Sequence, residues 1–362
     1  MACESISPCN PAEINTLLCP ATVAEPRHSE NSILPFADGR LLLAYSRFYS
    51  GDWRDQGPAL VAGRWSSDEG RTWGEPFVLQ ENIGRLNCMS PSLLRLRSGR
   101  VLMVFSRRDG QPGVPGGPPF TQAMAKWSDD DCRTWSQPLP LMPADQYWDA
   151  ANDRLIQIAG GRVLWPAKTG GPDCACFYSD DDGATWRMSA KNVSEPPGLE
   201  YAEPIVIELK DGSLDMYIRN KGGNLHIACS KDGGESWTMR KCAPPDMAGR
   251  PDTGPNAAHA PCQIKRIPDT GDLLLVWNNN RVRTPLTAAV SSDEGETWRH
   301  VRNLEEMDGW PPRLTHCYPS VAFLNGSVHL TYWEARKREV PGEHLLSLRY
   351  RRLPVGWFYE RL

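Results

Sequence analysis

The sequence SSDEGRTW at residues 66–73 recurs along the chain as Ser-x-Asp-x-Gly-x-Thr/Ser-Trp. Further copies begin at positions 179, 230 and 291, and a copy at position 128 has Cys132 in place of the glycine. This pattern is typical of a tight turn between strands, because aspartate accepts hydrogen bonds from turn amides and glycine adopts a positive φ. Five copies in register predict a repeat architecture in which these aspartates are structural and not catalytic.

A second repeat, a glycine turn between two β-rich segments, alternates with the first. Its glycines stand at positions 39, 99, 161, 212, 271 and 326, which are 51 to 62 residues apart. Six hairpins at this spacing predict an all-β fold, a six-bladed β-propeller of four-stranded blades. Because the last repeat lacks the Ser-x-Asp turn, we expect the N-terminal segment, from Ile14 to Val23, to close the ring beside the final blade. Residues 1–362 are then expected to form one domain without a linker.

The composition argues for a globular protein and against three other classes: disordered proteins, proteins with a transmembrane helix and general nucleic-acid binders. Hydrophobic residues make up 40% of the chain and charged residues 23%, which is typical of a globular protein and argues against disorder. No run of 18 apolar residues occurs, which excludes a transmembrane helix, and the net charge of -4 argues against a general nucleic-acid binder. The eleven cysteines lack a paired C-x-x-C zinc pattern, and the N-terminus has no basic segment followed by an apolar one. We therefore expect buried thiols and a cytoplasmic location for the sequence as it stands, an expectation that a trimmed secretion signal would change.

The register of the glycine turns places several charged and aromatic side chains at one rim of the ring. Each lies seven to nine residues from a turn glycine: Arg154, Glu203 and Tyr318 precede their glycine, and Arg47 and Arg219 follow theirs. Charged side chains that converge at a concave mouth are typical of a ligand site.

Four segments around these residues resemble the exo-sialidases (neuraminidases), propellers that share the Ser-x-Asp-x-Gly turn, known as the Asp box. The segments are RHSENSILPFADGRLLLAYSRFYSGD at residues 27–52, LEYAEPIVIELKDGSLDMYIRN at 199–220, NNNRVRTPLTAAVSSDEG at 278–295 and HCYPSVAFLNGSVHLTYWE at 316–334. The resemblance implies a retaining exo-glycosidase that removes a terminal sialic acid, or a related keto-acid sugar, from a glycan.

Roles for individual residues follow from this resemblance. Arg27, Arg219 and Arg283 would bind the substrate carboxylate, with Arg281 as the alternative to Arg283. Tyr318 would be the nucleophile and Glu203 the base that activates it. Asp52 would be the acid/base, with Asp55 as the alternative on the same loop, and Arg47 would support the site. Guanidinium groups suit a carboxylate, and a neutral tyrosine avoids the repulsion that a carboxylate nucleophile would meet.

Three further residues are candidates for substrate contact. Trp53 either stacks on a sugar or anchors its loop, and Asn152 lies on the side of the pocket where this family binds the N-acyl group. Arg154 either recognises a different substituent or pairs with Asp149 or Asp153. The resemblance implies no metal and no cofactor. Two other functions stay open: a hydrolase or lyase of uronate-type glycans, and a non-catalytic glycan-binding propeller.

Overall fold

The computed structural model describes residues 13–110, 120–142, 148–169, 173–190, 192–194, 198–239, 257–337 and 344–360. In these residues the protein is all-β apart from one short 3-10 helix, Val355–Tyr359. The same part of the chain contains no helix of the length and apolarity that crossing a membrane would need.

The described strands fall into six antiparallel units, which follow one another along the chain. After β1 (Ile14–Cys19), the first unit contains β2 (Arg27–Pro35), β3 (Leu41–Phe48), β4 (Ala59–Ser66) and β5 (Phe77–Gln80). The second contains β6 (Asn87–Arg95), β7 (Val101–Asp109), β8 (Phe120–Ser128) and β9 (Leu139–Pro140). The third contains β10 (Trp148–Asp149), β11 (Ile156–Gln157), β12 (Val163–Thr169), β13 (Asp173–Ser179), β14 (Arg187–Met188) and β15 (Val193–Ser194).

The remaining units repeat the pattern. The fourth contains β16 (Ala202–Glu208), β17 (Leu214–Arg219), β18 (His226–Ser230) and β19 (Thr238–Met239). The fifth contains β20 (Gln263–Arg266), β21 (Leu273–Asn278), β22 (Leu286–Ser291) and β23 (Arg299–Glu305). The sixth contains β24 (Leu314–Leu324), β25 (Ser327–Lys337) and β26 (His344–Pro354).

The units are arranged around a centre. The first strands of neighbouring units pack together in the pairs β2 with β6, β16 with β20, β20 with β24, and β24 with β2. The third unit joins this ring through β12, which packs on β16, and through Arg154, whose main-chain N–H bonds Ser92 Oγ at 2.8 Å. This is the β-propeller architecture predicted from the repeats, with six units among the described residues.

The N-terminal strand completes the last unit. β1 runs antiparallel to β26, with Ile14 opposite Arg352 and Leu17 opposite Arg349. The segment therefore lies beside the final unit, as predicted from the sequence, although the strand ends at Cys19 and not at Val23.

The repeated turns have one geometry. In residues 66–73, Gly70 N–H donates to Ser66 Oγ at 2.8 Å, while Asp68 accepts from Thr72 N–H at 2.8 Å and from Thr72 Oγ1 at 2.7 Å. The same three bonds recur in the copies that begin at positions 128, 179, 230 and 291. The aspartates of the Asp boxes thus hold turns, which agrees with the structural role predicted for them.

The core lies between the units. Several strands are buried on both faces and are apolar runs, as in β3 and β21, whereas β26 alternates buried and partly buried residues. Residues 41–45, LLLAY, are all buried. Burial on both faces explains why the glycine turns were flanked by continuous hydrophobic segments in the sequence.

Candidate active site

Irregular backbone at the start of the inner strands directs side chains towards the centre. Strand register shifts at Ser29/Asn31, Met89/Ser92, Ala202/Ile205 and Cys317/Ser320. At each of these shifts one residue has a positive φ: Glu30 (21°), Ser90 (57°), Glu203 (46°) and Tyr318 (57°). In the third unit the corresponding residue is Asp153, with a φ of 56°. A β-bulge re-aims a side chain, and non-glycine residues in this region of φ are held there by their surroundings.

Two of these residues, Tyr318 and Glu203, are in direct contact. The Tyr318 hydroxyl donates to Glu203 Oε1 at 2.6 Å, and Arg219 forms an ion pair with Glu203 Oε2. Arg219 Nη1 also donates to the Tyr318 hydroxyl at 3.2 Å. Residues from β24, β16 and β17 therefore form one hydrogen-bonded cluster.

The protonation states of this cluster are set by burial and by the arginine. Burial opposes the charged form of Glu203, but Arg219 and the Tyr318 hydroxyl outweigh it, so the pKa of Glu203 is lowered. Burial and the Glu203 charge together raise the pKa of Tyr318 well above its ordinary value. At neutral pH the pair is a neutral phenol that donates to an ionised carboxylate.

Arg283 lies on the other side of the tyrosine. Its guanidinium carbon is 5.7 Å from the centre of the Tyr318 ring and 5.6 Å from that of Trp333, and Nη2 donates to the carbonyl of His259 at 3.3 Å. Arg281 is exposed and lies against Gly223. Of the two arginines considered in the sequence, the structure thus brings Arg283 to the tyrosine.

Arg27 is held by acids on two sides. Nη2 donates to Glu30 Oε1 at 2.5 Å, Nη1 to Asp55 Oδ1 at 2.6 Å, and Nε to Ser29 Oγ at 2.6 Å. Burial alone would lower the pKa of Arg27, but Glu30 and Asp55 outweigh it and raise it. Burial also raises the pKa of Glu30, against the effect of Arg27.

The two candidate acids lie in different places. Asp52 accepts hydrogen bonds from the main-chain N–H and the Nε of Arg54, both at 3.0 Å, so its carboxylate closes a turn at the surface. Asp55 contacts Arg27, and 57% of its side chain is accessible to solvent. Surrounding protein partly desolvates the Asp55 carboxylate, but Arg27 and Arg108 outweigh this effect and lower its pKa. The sequence names Asp52 as the acid/base and Asp55 as the alternative. In the structure Asp52 is bound by Arg54, whereas Asp55 contacts Arg27.

Two supporting residues lie at the edge of this cluster. Arg47 forms an ion pair with Glu25. The Trp53 carbonyl accepts from Arg27 Nη1 at 3.2 Å, and its ring meets that of His344 edge-on, with the ring centres 4.6 Å apart. Of the two roles considered for Trp53, these contacts favour that of a loop anchor.

Asn152 and Asp153 cross the centre of the ring. Asn152 is fully buried, and its Nδ2 donates to the Asn31 carbonyl at 2.5 Å and to the Tyr318 carbonyl at 3.4 Å. Asp153 accepts from residues of the first, fifth and sixth units, namely Ser32, Gln263, Lys265 and Ser320. Asn152, a candidate for substrate contact, has no accessible surface in this structure, and its side chain links the inner strands.

Arg154 neither faces solvent nor pairs with Asp149 or Asp153. Only 2% of the residue is exposed, so it presents no surface to a substrate. It forms no ion pair with any described residue: Asp149 pairs with Arg108 at 2.6 Å, and Asp153 pairs with Lys265 at 2.8 Å. Its side chain is therefore a buried cation without a carboxylate partner.

Two residues of this site were missed in the sequence. Glu30 lies nine residues before its turn glycine, as Glu203 does, so the same register would have found it. Arg108, which reaches the main chain of Asp55 at 3.5 Å and pairs with Asp149, lies nine residues after Gly99, within the same range of offsets. Among the described residues, no three His, Cys, Asp or Glu side chains lie close enough together to hold a metal ion.

Comparison with known proteins assigns the chain to a family. A family model described as a BNR repeat-like domain matches residues 120–330. The chain belongs to the sialidase/BNR-repeat family. It is 30% identical over 298 residues to a sialidase of Micromonospora viridifaciens and 26% identical over 277 residues to a sialidase of Bacteroides fragilis. These matches cover 72% and 68% of this chain but 43% and 49% of the relatives, so the chain spans about half of their length.

Solved structures of this sialidase/BNR family share the fold. The intramolecular trans-sialidase of Ruminococcus gnavus, solved with oseltamivir carboxylate, superposes with a TM-score of 0.75 at 16% identity, covering 98% of this chain and all of that one. The leech intramolecular trans-sialidase, solved with 2,7-anhydro-Neu5Ac, gives a TM-score of 0.73 at 14% identity, covering 93% of this chain and 69% of that one. At these identities the likeness shows the β-propeller fold alone.

Proposed function

We propose that this protein is a retaining exo-glycosidase of the sialidase type, which removes a terminal sialic acid or a closely related keto-acid sugar from a glycan. The observation that carries the proposal is the 2.6 Å hydrogen bond from Tyr318 to Glu203 beside Arg219 and Arg283. A protein that only bound an acidic sugar would need the arginines but not this donor–acceptor pair. The relatives named sialidases support the same activity.

Three arginines would bind the carboxylate of the substrate. Arg219 and Arg283 both contact Tyr318, and Arg27 pairs with Asp55, whose pKa Arg283 also lowers. Guanidinium groups form charge-assisted, often bidentate, bonds with a carboxylate, which fixes the orientation of the sugar. The pKa of each arginine is raised, because neighbouring acidic side chains outweigh burial, so all three stay charged.

Tyr318 is suited to attack the anomeric carbon. That carbon bears the substrate carboxylate, so an aspartate or glutamate nucleophile would meet like-charge repulsion, whereas a phenol does not. As the bond from Tyr318 oxygen to the anomeric carbon forms, the phenolic proton passes to Glu203 and the bond to the leaving oxygen breaks. Water then displaces the tyrosine, which regains its proton from Glu203, and two displacements give overall retention.

Asp55 would donate the proton to the leaving oxygen and later accept one from water. In the free protein its carboxylate shares Arg27 with Glu30. A substrate carboxylate that binds Arg27 competes with Asp55 for the same guanidinium and weakens the interaction that keeps Asp55 ionised. Substrate binding would thus raise the pKa of Asp55 and prepare it to act as an acid.

The test is turnover of 4-methylumbelliferyl α-N-acetylneuraminide by the purified protein, followed by proton NMR. We expect fluorophore release and the α-anomer of the free sugar as the first product. The β-anomer as first product would contradict the retaining mechanism, and a 2,7-anhydro product would indicate intramolecular transfer. No turnover by folded protein would contradict the proposal. 4-Methylumbelliferyl glucuronide tests the uronate alternative, whose main support was an accessible Arg154.

A further inference from the structure

His259 lies between two arginines of the candidate active site. Arg219 Nη2 is 3.3 Å from His259 Nδ1, and Arg283 Nη2 donates to the carbonyl oxygen of His259 at 3.3 Å. The ring of this residue therefore contacts one arginine while its main chain contacts the other.

The main chain holds His259 in this position. Ala257 N–H donates to the Gly223 carbonyl at 2.9 Å, in the loop that follows β17. Ala258 N–H donates to the Asn278 carbonyl at 3.4 Å, at the end of β21, and both alanines are buried. The segment is thus tied to the fourth and the fifth unit, which carry the two arginines.

The contact with Arg219 determines the form of the ring. A guanidinium group only donates hydrogen bonds, so Nδ1 of His259 is the acceptor and the proton of the neutral ring is on Nε2. Charged groups near the ring are Arg219, Arg283, Lys221, Glu203 and Glu200. Burial and the arginines lower the pKa of His259 to about 4, against the effect of Glu203. The ring is therefore neutral at neutral pH and able to accept.

Two of the nitrogens of Arg219 have different partners. Nη1 pairs with Glu203 and donates to the Tyr318 hydroxyl, whereas Nη2 contacts His259. Because a guanidinium group is rigid and planar, contacts at both terminal nitrogens fix its orientation. His259 thus helps to hold the arginine that contacts both members of the tyrosine–glutamate pair.

His259 holds this arginine without adding a negative charge to it. Arg27, by contrast, forms ion pairs with two carboxylates, those of Glu30 and Asp55. A carboxylate in place of the imidazole would compete with a substrate carboxylate for Arg219, which already pairs with Glu203. A neutral acceptor fixes the geometry and leaves the positive charge available to the substrate.

We propose that His259 is a positioning residue, which holds Arg219 and Arg283 for the substrate carboxylate through two neutral acceptors, the ring Nδ1 and the main-chain carbonyl. This role rests on the proposed sialidase-type function. His259 acts through the arginines, and its ring takes no part in proton transfer.

Three substitutions separate the acceptor from its charge. His259→Asn keeps a neutral acceptor, His259→Asp adds a negative charge to it, and His259→Ala removes it. With the methylumbelliferyl sialoside at neutral pH, we expect kcat/KM to stay within about threefold of the parent in His259→Asn and to fall about tenfold or more in His259→Ala. The KM of His259→Asp should exceed that of His259→Asn about tenfold or more, because the added charge competes with the substrate. His300→Ala is the control, a partly buried histidine that packs on Tyr359, and should match the parent.

Proton–nitrogen NMR of the full chain labelled with 15N-histidine reads the contact without turnover. The His259 ring is identified by the signals that are absent from His259→Asn. In the parent we expect its proton on Nε2 at neutral pH and a pKa well below that of an ordinary histidine. In Arg219→Met the pKa of His259 should rise, because a neighbouring positive charge and the donor to Nδ1 are both removed.

The two experiments fail in different ways. Parent-like kinetics in His259→Ala, equal losses in His259→Asn and His259→Ala, equal KM in His259→Asn and His259→Asp, or a ring proton on Nδ1 would each overturn the proposal. If the parent does not turn over the sialoside, the sialidase-type function fails. An Nε2–H ring whose pKa rises in Arg219→Met would then still support His259 as the residue that holds Arg219. If His259→Ala does not fold, the comparison of His259→Asn with His259→Asp decides.

Discussion

The hydroxyl of Tyr318 donates to Glu203 Oε1 at 2.6 Å, although 115 residues separate the two in the chain. Each residue has a positive φ at a register shift in an inner strand, and each directly precedes a proline. The contact arises because β16 and β24 begin on the same side of the ring. The propeller thus converts equivalent positions of two distant repeats into a donor–acceptor pair.

This pair gives the first prediction. Tyr318→Phe removes the nucleophilic oxygen while keeping the ring, so we expect kcat to fall by a factor of about 10³ or more with little change in KM. The measurement is fluorophore release from the methylumbelliferyl sialoside.

The chain offers a matched control in Tyr332, another buried tyrosine that donates to a carboxylate, Glu305 Oε1, at 2.5 Å. Tyr332→Phe should leave kcat near that of the parent. Equal losses in Tyr318→Phe and Tyr332→Phe would show a general effect of disturbing buried tyrosines and would count against a nucleophilic role.

Asp55 and Asp52 give the second prediction. Asp55→Ala should lower kcat about 10²- to 10⁴-fold for a sialoside with a sugar leaving group, which needs protonation. The loss should be smaller for the methylumbelliferyl sialoside, whose leaving group is stable as an anion. Asp52→Ala should have little effect on either substrate, because that carboxylate faces Arg54. The reverse order of effects would return the acid/base role to Asp52.

The pH dependence of the rate gives the third prediction. In the free protein Arg27 and Arg108 lower the pKa of Asp55, so the protonated form is lost at acid pH. In the complex the substrate carboxylate competes for Arg27 and the pKa rises. We expect the basic limb of kcat to lie at higher pH than the basic limb of kcat/KM, and neither limb to remain in Asp55→Asn. Coinciding limbs would show that substrate does not change the environment of Asp55.

Much of the fold could be predicted because its determinants are local. The Asp-box turns need only Ser, Asp, Gly and Thr or Ser within eight residues, so the five copies marked five of the six units. The register of the turn glycines then pointed to Tyr318, Glu203 and Arg219, because similar offsets from these turns place residues at one rim.

The side-chain partners could not be predicted in the same way, since they depend on contacts across the ring. Asn152 and Arg154 had the offsets of rim residues, but the backbone has a positive φ at Asp153, and the partners of Asn152 and Asp153 come from β2, β20 and β24. Asp52 and Asp55 are three residues apart on one loop. Only the position of Arg27 relative to that loop distinguishes them.

The Asp-box aspartates give the fourth prediction, which concerns stability. Asp181 accepts from Thr185 N–H at 2.8 Å and from Thr185 Oγ1 at 2.6 Å, and these bonds outweigh burial and lower its pKa. Its contribution should be complete above the ordinary pKa of 3.8 and be lost as the pH falls through the lower folded value. Asp181→Asn should therefore reduce the free energy of unfolding by about 1 kcal/mol at pH 7 and by progressively less below pH 3.8. Urea unfolding across this range checks it, and Asp182→Asn in the same turn, which should change stability by less than about 0.5 kcal/mol, is the control.

The turn glycines give the fifth prediction, which separates backbone strain from packing. Gly70 and Gly212 have nearly equal φ values, 82° and 83°, so alanine meets the same backbone cost at both, about 1–2 kcal/mol. A Cβ at Gly70 would lie 1.8 Å from the Tyr350 hydroxyl oxygen, whereas a Cβ at Gly212 would have no neighbour within 4 Å. Tyr350 cannot move freely, because its hydroxyl is 2.8 Å from His329 Nδ1 in the buried core. Gly70→Ala should therefore destabilise the protein by about 1–3 kcal/mol more than Gly212→Ala in urea unfolding. Equal effects would mean that the Asp-box glycine is required for its φ alone, and that the packing of the turn against Tyr350 adds nothing.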